Sequence, residues 1–398
     1  MNKKLIAIAV AAALVPAAAM AEVTVYGRGH LSVDAYSGNS GDSTSGTKNG
    51  LNLTSNSSRL GFKGAEELGG GLKGVFQLET SVDVQGGSNQ SMFGGQRDTY
   101  LGVAGDFGTV IGGRLPLANQ WAYDANFFGD KVGDAAEFAG GGFGGNGLLG
   151  VPGRVNRAIA YVSPSLGGVT VLAAFVPNTQ QSLGAAQNSA NKQSSYTLRG
   201  SYDSNGIFAA ASIANIGVAG VNLITDGTAS AAVGVPGLPV GVPPVATALA
   251  GKDGKVTIMS LAGGFEAGAA KLRAQYVQSK ADSAAAGAEV KQTVIVVGGQ
   301  FKLNAADSIS AQIAKAGDIS IGGSSAAKSG ATLLAVGYDH ALSKNTTVYV
   351  AYAKVSNNDN AQFSGTGYGH GGVGAPGFDT SGKAASPSSL SVGLTRDF

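Results

Sequence analysis

The last twelve residues, Pro387 to Phe398, alternate between apolar and polar positions. Leu390, Val392, Leu394 and Phe398 take one parity, and Ser389, Ser391, Gly393, Thr395 and Asp397 take the other. A period of two marks a strand with one oily face and one wet face. The segment after residue 21 follows the same rule. Val23, Val25, Gly27, Gly29, Leu31 and Val33 share one face, and Thr24, Tyr26, Arg28, His30, Ser32 and Asp34 share the other. The pattern predicts sixteen strands, near 22–36, 50–64, 71–84, 95–105, 108–115, 154–163, 167–176, 193–203, 206–214, 254–266, 268–279, 290–303, 307–316, 330–340, 346–356 and 387–398. Most are close to the ~9–11 residues that a tilted strand needs to cross a bilayer.

The connections alternate in length. Short turns fall at 65–70, 106–107, 164–166, 203–205, 267, 304–306 and 341–345. Long segments cover 37–49, 85–94, 116–153, 177–192, 215–253, 280–289, 317–329 and 357–386. Seven short and eight long connections are what sixteen antiparallel strands produce when both termini lie at the short-turn end. An even number of strands can close and leave no unpaired edge in lipid. The expected fold is therefore all-β: a sixteen-stranded antiparallel transmembrane barrel, oily outside and wet inside, with its long loops facing the exterior.

The N-terminus changes the picture in one respect. Lys3 and Lys4, the apolar run Leu5–Val15 and the small residues closing at Ala19-Met20-Ala21 form a secretory signal, interrupted at Pro16 and too short for a comfortable membrane anchor. The expected organisation is a signal peptide at 1–21 and one barrel domain at 22–398. The formal net charge of +2 resides in Lys3 and Lys4, so the remainder is balanced and gives no general attraction to nucleic acid. Cysteine is absent, so no disulfide is available. Beyond residue 21 no run of eighteen apolar residues offers a membrane helix. The segment 215–253 is apolar yet rich in Gly and Pro, and reads as neither helix nor strand.

Several stretches resemble a known family. Ser58-Arg-Leu-Gly-Phe-Lys-Gly-Ala-Glu-Glu-Leu-Gly-Gly-Gly-Leu-Lys-Gly-Val-Phe-Gln-Leu-Glu79 is similar to the second turn and third strand of Gram-negative general diffusion porins, nearest the neisserial and beta-proteobacterial branch. Arg97-Asp-Thr-Tyr-Leu-Gly-Val103, Gly105–Arg114, Ala136-Glu-Phe-Ala-Gly-Gly141, Asn156–Pro164, Ala341–Tyr349 and Val392–Phe398 continue the likeness. The resemblance implies a homotrimer of sixteen-stranded barrels in the outer membrane, each with its third long loop folded inward. It also implies lipid and lipopolysaccharide around the barrel and a terminal strand, ending on Phe398, that the barrel-assembly machinery reads. The implied function is passive diffusion of small hydrophilic solutes and ions, with no cofactor and no metal.

A diffusion pore requires a wet lumen and a field across its narrowest point. Parity places Arg28 and Arg59 inward, and the resemblance puts Arg59 and Arg97 on the family's basic wall. Arg97 shares parity with Thr99, which leaves Tyr100 on the lipid parity. Arg114 closes the candidate basic set, while Arg199, Lys271 and Arg273 suit a vestibule. The acids fall in the third long loop: Asp124, Asp130, Asp134 and Glu137. Glu137 matches the glutamate of the family's Pro-Glu-Phe-Gly-Gly signature, with Ala136 in place of the proline, and Asp134 is its expected second carboxylate. Asp124, Asp134 and Glu137 are the candidate acidic side of the constriction. Lys131 could pair with either acid. The loop's aromatic residues, Trp121, Tyr123, Phe127, Phe128, Phe138 and Phe143, fit either pins for a folded loop or a slide for solutes. The slide would suit a substrate-selective outer-membrane channel, the main alternative. An enzyme is the rival from another class. His30, His340 and His370 are the only histidines, and neither a Gly-x-Ser-x-Gly elbow nor a His-Glu-x-x-His motif is present.

Overall fold

The computed structural model describes residues 22–38, 50–86, 92–116, 121–139, 154–178, 194–218, 254–283, 289–361, 363–366, 370 and 384–398. The predicted signal peptide and residues 219–253 of the Gly/Pro-rich segment 215–253 lie outside these residues, while 215–218, read as neither helix nor strand, complete the strand Ile207–Val218. Among the described residues, twenty strands join one antiparallel sheet. They are β1 (Glu22–Ser37), β2 (Gly50–Ser55), β3 (Arg59–Gly69), β4 (Leu72–Val82), β5 (Phe93–Gln96), β6 (Thr99–Gly105) and β7 (Gly108–Leu115). Then come β8 (Val155–Val162), β9 (Val169–Val176), β10 (Ser195–Ser204), β11 (Ile207–Val218), β12 (Gly254–Ala267), β13 (Ala270–Ser283) and β14 (Glu289–Lys302). The set ends with β15 (Asp307–Ala316), β16 (Ile319–Ile321), β17 (Ser324–Ala326), β18 (Ala331–Ser343), β19 (Thr346–Asn357) and β20 (Ser388–Asp397).

The wall itself has sixteen strands. β2 and β3 are one strand interrupted at 56–58, β5 and β6 are one interrupted at Arg97–Asp98, and β16–β17 form a small hairpin beside β14. Closure comes from β1. It pairs with β20 from Arg28↔Asp397 to Ser37↔Ser388, and on its other side with β3 and then β2. A closed ladder satisfies the backbone groups that lipid cannot. The short connections are tight. Between β10 and β11, Asn205 (φ 52°) and Gly206 (φ 76°) form a two-residue turn, a conformation that suits the twist of a hairpin. A Cβ on Gly206 would lie 2.3 Å from the Glu266 carbonyl oxygen.

Parity sets the two faces. On β1, Val23, Val25 and Val33 are exposed while His30, Ser32, Asp34 and Tyr36 are buried. On β20, Leu390, Val392 and Leu394 are exposed while Ser389 and Ser391 are buried. One predicted phase is reversed. On β6, Leu101 (69 % exposed) and Val103 point outward, and Tyr100 packs with the inner cluster around Leu115 and Val155. The cause is the break at Arg97–Asp98, which resets the alternation and leaves Arg97 inside without sharing the strand's parity.

Wall height is uneven. β12, β13 and β14 have 14 residues each, whereas β7, β8 and β9 have 8 each. At the rise and tilt of barrel strands, 8 residues reach about 20 Å, short of an apolar band about 25 Å tall.

Candidate functional site

Residues 121–139 leave the wall and pack against its inner face. The segment runs through successive turns into one helical turn, α1 (Ala136–Ala139). Trp121, Ala125, Phe128, Val132, Ala135 and Phe138 are buried in one cluster with Val277, Val294, Val296, Leu333, Ala335 and Ala353 of the wall. Gly298 and Gly337 leave room for it: a Cβ on either would stand 2.6 Å from the Phe127 ring and 2.8 Å from the Phe128 ring, respectively. Trp121, Phe127, Phe128 and Phe138 act as pins turned into the wall, while Phe143 lies outside the described residues. Burying an aromatic side chain of this kind is worth about 1.5–3 kcal/mol, enough to hold a segment with little regular structure.

Polar anchors fix its register. Arg199 of β10 donates to both carboxylate oxygens of Asp124 (2.7 and 2.8 Å) and to Ser212 Oγ (2.9 Å). Gln275 Nε2 of β13 donates to the Trp121 carbonyl (2.6 Å). Gln312 of β15 accepts from the Phe127 amide (2.8 Å) and donates to the Gly133 carbonyl (2.5 Å). Lys131 pairs with Asp339 of β18 and sits 4.4 Å from the centroid of the Tyr349 ring, so it is not the partner of Asp134 or Glu137. Arg199, Gln275, Gln312 and Asp339 all project from the inward parity of their strands, which places the segment inside the barrel.

The predicted acids go to three separate places. Asp124 is neutralised by Arg199, an arginine assigned from parity to a vestibule. Asp134 braces the segment internally, accepting from Asn126 Nδ2 (2.5 Å), the Asp130 amide (2.8 Å) and the Ala136 amide (2.8 Å). Burial, followed by the charge of Asp130, pushes its carboxyl up to about 7 against those bonds. Glu137 accepts from the Ser364 amide (2.8 Å), Ser364 Oγ (2.9 Å) and the Gly365 amide (2.6 Å). Phe138 stacks on Phe363 at 4.3 Å between centroids, so α1 is clamped to the loop after β19. Burial raises the Glu137 carboxyl, and those donors oppose the shift.

The basic residues divide differently. Arg59 and Arg97 meet on Glu79, which the sequence reading did not single out. Arg97 Nε lies 2.6 Å from Glu79 Oε1, and Arg59 Nε lies 3.9 Å from Oε2. Tyr26 Oη donates to the same carboxylate (3.0 Å), facing the lumen through the gap left by Gly61. Arg28 forms a two-point pair with Asp397 (2.6 and 2.9 Å). Arg114 stands at a bulge and donates to the Gln96 carbonyl (2.8 Å) and Asn156 Oδ1 (2.7 Å), and it does not join the Glu79 cluster. The loop carboxylate within electrostatic reach of Arg28, Arg59 and Arg97 is Asp130, held at φ 64° and 4 % exposed. Glu79 was visible in the sequence as a charge sharing inward parity with Gln77, opposite outward Leu78. Asp130 carried no signal to separate it from its neighbours.

No Ser–His relay is assembled on β1. His30 Nε2 lies 2.8 Å from Tyr349 Oη, while Ser32 donates to Asp34 (3.0 Å). Among the described residues no cluster of three or more metal-ligating side chains occurs.

The sequence pattern of Gram-negative porins matches residues 7–360. The chain belongs to that family. This porin is 32 % identical over 216 residues to the major outer membrane protein P.IB of Neisseria gonorrhoeae, a match covering 52 % of the chain and 56 % of that relative. It is 33 % identical over 233 residues to outer membrane porin protein 32 of Delftia acidovorans, covering 57 % and 63 %. The matches thus span little more than half the length of these curated relatives. In fold, the porin superposes on the anion-selective porin of Comamonas acidovorans with a TM-score of 0.68 at 20 % identity, over 95 % of this chain and 100 % of that one. It superposes on a trimer form of the Vibrio cholerae outer membrane protein OmpT with a TM-score of 0.67 at 15 % identity, over 95 % and 99 %. The location these relatives share is the outer membrane of Gram-negative bacteria.

Proposed function

We propose that this porin is a water-filled channel for passive diffusion of small hydrophilic solutes and ions. The observation that carries the reading is the segment 121–139 pinned inside the barrel, whose Asp130 acts electrostatically on Arg28, Arg59 and Arg97. Charges of opposite sign across a narrow neck orient water and select ions without any reacting group. Asp124, Asp134 and Glu137, the acids first proposed for the constriction, serve here to hold the segment that carries Asp130. Arg114 belongs to the upper wall. Planar-bilayer recording in a salt gradient tests the reading. Arg59→Gln with Arg97→Gln should move the reversal potential toward cation preference, and Asp130→Asn toward anion preference, each shift shrinking as salt rises. Unchanged selectivity in both variants at low salt would remove the constriction from this site.

The porin also assembles, in our reading, as a homotrimer. The low wall β7–β9 is too short to be matched by lipid, and its exposed Ile159, Val171 and Phe175, with Leu101 and Val103 of the adjoining β6, suit burial against other copies. Phe398, 59 % exposed with its carbonyl oxygen accepting from the Gly27 amide (3.0 Å), closes the barrel seam and is the residue we assign to recognition by the assembly machinery.

A further inference from the structure

Described residues between β19 and β20 turn back into the lumen and are held there at three places. At the base, Asn357 donates from Nδ2 to the carbonyls of Phe363 (2.9 Å) and Ala385 (2.8 Å) and accepts from the Phe363 amide (3.0 Å). Next, the Gly133 amide of the pinned segment donates to the Gly365 carbonyl (2.8 Å), beside the bonds that Ser364 and Gly365 donate to Glu137. Gly365 (φ 74°) lies so close to β19 that a Cβ on it would stand 2.5 Å from Val355 Cγ2. The third place is His370, whose Nε2 lies 3.3 Å from Asp34 Oδ2 of β1, with both side chains fully buried. Asp34 pairs in register with Ser391, and Ser391 with Ala351. Val355 stands four residues nearer the rim than Ala351 on β19, so His370 reaches further down the lumen than Gly365.

The third anchor differs in kind from the others. Asp34 accepts from Ser32 Oγ (3.0 Å) and Tyr36 Oη (3.2 Å), and the hydroxyls of Thr54 and Ser391 also turn toward it. None of these donors carries charge. Among the described residues, His370 is the one ion-pair partner of Asp34. A buried carboxylate without a counter-charge is strongly disfavoured. Histidine is the side chain whose charge changes between about pH 5 and 8. A protonated His370 neutralises Asp34, whereas a neutral ring leaves the carboxylate with hydroxyl donors alone. The other titratable groups around the pair are His30 and Tyr36 of β1 and Tyr349 of β19, and Asp130 and Lys131 of the pinned segment act on His30. His30 is engaged by Tyr349 Oη (2.8 Å) and Lys131 by Asp339, so neither takes the place of the His370 ring. β2 and β20 face the pair with Thr54 and Ser391, whose hydroxyls do not titrate in this range.

We propose that His370, protonated and paired with Asp34, positions the segment after β19 inside the lumen, so that the cross-section open to solutes widens as the pH rises from 5 to 8. His370 is a positioning residue. It acts through Ser364 and Gly365, which bind Glu137 and with it the segment that carries Asp130. The consequence for solutes rests on the diffusion-channel reading, but the anchor itself does not.

The test uses the full-length folded porin in vesicles. The chain has no cysteine, so Ser391→Cys, a one-atom change on the inner face opposite Asp34, supplies a single thiol. Its rate of modification by an uncharged, water-soluble methanethiosulfonate is compared between variants at one pH, which cancels the ionisation of the thiol itself. At pH 5, His370→Asn should speed modification by about tenfold, the worth of a bond to a charged group. At pH 8 it should change the rate little. Asp34→Asn should act like His370→Asn at pH 5, and the double variant should go no further than either. Mean single-channel conductance should follow, higher in His370→Asn than in wild type at pH 5 and similar at pH 8. Equal rates with and without His370→Asn at pH 5 would overturn the proposal. An acceleration of the same size at pH 5 and pH 8 would overturn it too, since the ring would then act as a neutral plug. Should Ser391→Cys fail to assemble, the conductance of the cysteine-free variants decides by the same pattern. A folded barrel that passed no ions in any variant would overturn the channel reading and leave the thiol rates to decide the anchor.

Discussion

On β1, β3 and β4 the inward positions carry His30, Ser32, Asp34, Arg59, Gln77 and Glu79, while on β13, β14, β18 and β19 many carry Val277, Val294, Val296, Leu333, Ala335 and Ala353. Both regions face the interior of one barrel, and both present the same apolar outer face to lipid. The difference teaches that the lumen is not one environment. The first wall is polar and buries its charges in a network around Glu79. The second is a conventional hydrophobic core whose other half is the segment 121–139. The pore is lopsided because one wall is needed as a foundation for the loop.

The largest effect should come from removing that foundation. Phe128 is 2 % exposed and fits against Gly337. Phe128→Ala should cost about 3–5 kcal/mol of docking energy. The strand ladder does not depend on this contact, so the barrel should still assemble and remain heat-modifiable on gels. Single-channel conductance should rise and become noisy as the segment loosens. An equivalent truncation on the polar wall, Tyr26→Phe, should leave conductance close to wild type. Unaltered conductance in Phe128→Ala would mean that Asn126, Gln312 and the other polar anchors suffice to hold the segment.

The same contrast explains what could be read from the sequence. The outer face was legible on most strands, because lipid asks one thing of it: Val25, Leu261, Ile313 and Val392 are all exposed, as alternation required. The inner face was legible only where it is wet. Thr293-Val-Ile-Val-Val297 is apolar at both parities because Val294 and Val296 pack beneath the loop, and no local pattern distinguishes that from a strand buried between two layers. The phase of β6 was lost at the Arg97–Asp98 break, since a two-residue interruption leaves no compositional mark. The acids of the loop were found as a group, but their division into anchors and a field-bearing carboxylate depends on partners 75 residues away for Asp124 and 227 for Glu137. Spacing within the loop carries none of that information.

A smaller effect concerns pH, and it too belongs to the loop-covered side. The Asp134 carboxyl stands near 7, raised by burial and by Asp130. A group whose pKa is raised in the docked state favours docking below its ordinary carboxylate pKa of about 4, and that contribution is lost as pH rises through about 7. Channel noise should therefore be lower at pH 5 than at pH 8. Asp130→Asn removes the neighbouring charge and should flatten the dependence. Noise that falls as pH rises from 5 to 8 in the wild type would reverse the assignment.

The smallest effect should come from a single charge on the polar wall. Glu79 offsets Arg59 and Arg97 and accepts from Tyr26. Glu79→Gln keeps an acceptor for Tyr26 and for one arginine, so the local network should survive. The arginine side of the lumen then gains one net positive charge facing Asp130. Through water, a unit charge at contact distance is worth about 1 kcal/mol, so the permeability ratio should move toward anions by at most about fivefold. The shift should be visible in dilute salt and nearly absent at 1 M, where screening reaches only about 3 Å. A neutral position on the other wall responds differently. Gln312→Glu would lose the donor to Gly133 and loosen the loop, raising conductance together with any change in selectivity. If Glu79→Gln instead raised conductance and Gln312→Glu shifted selectivity alone, the division of the lumen into a charged wall and a foundation wall would be the wrong way round.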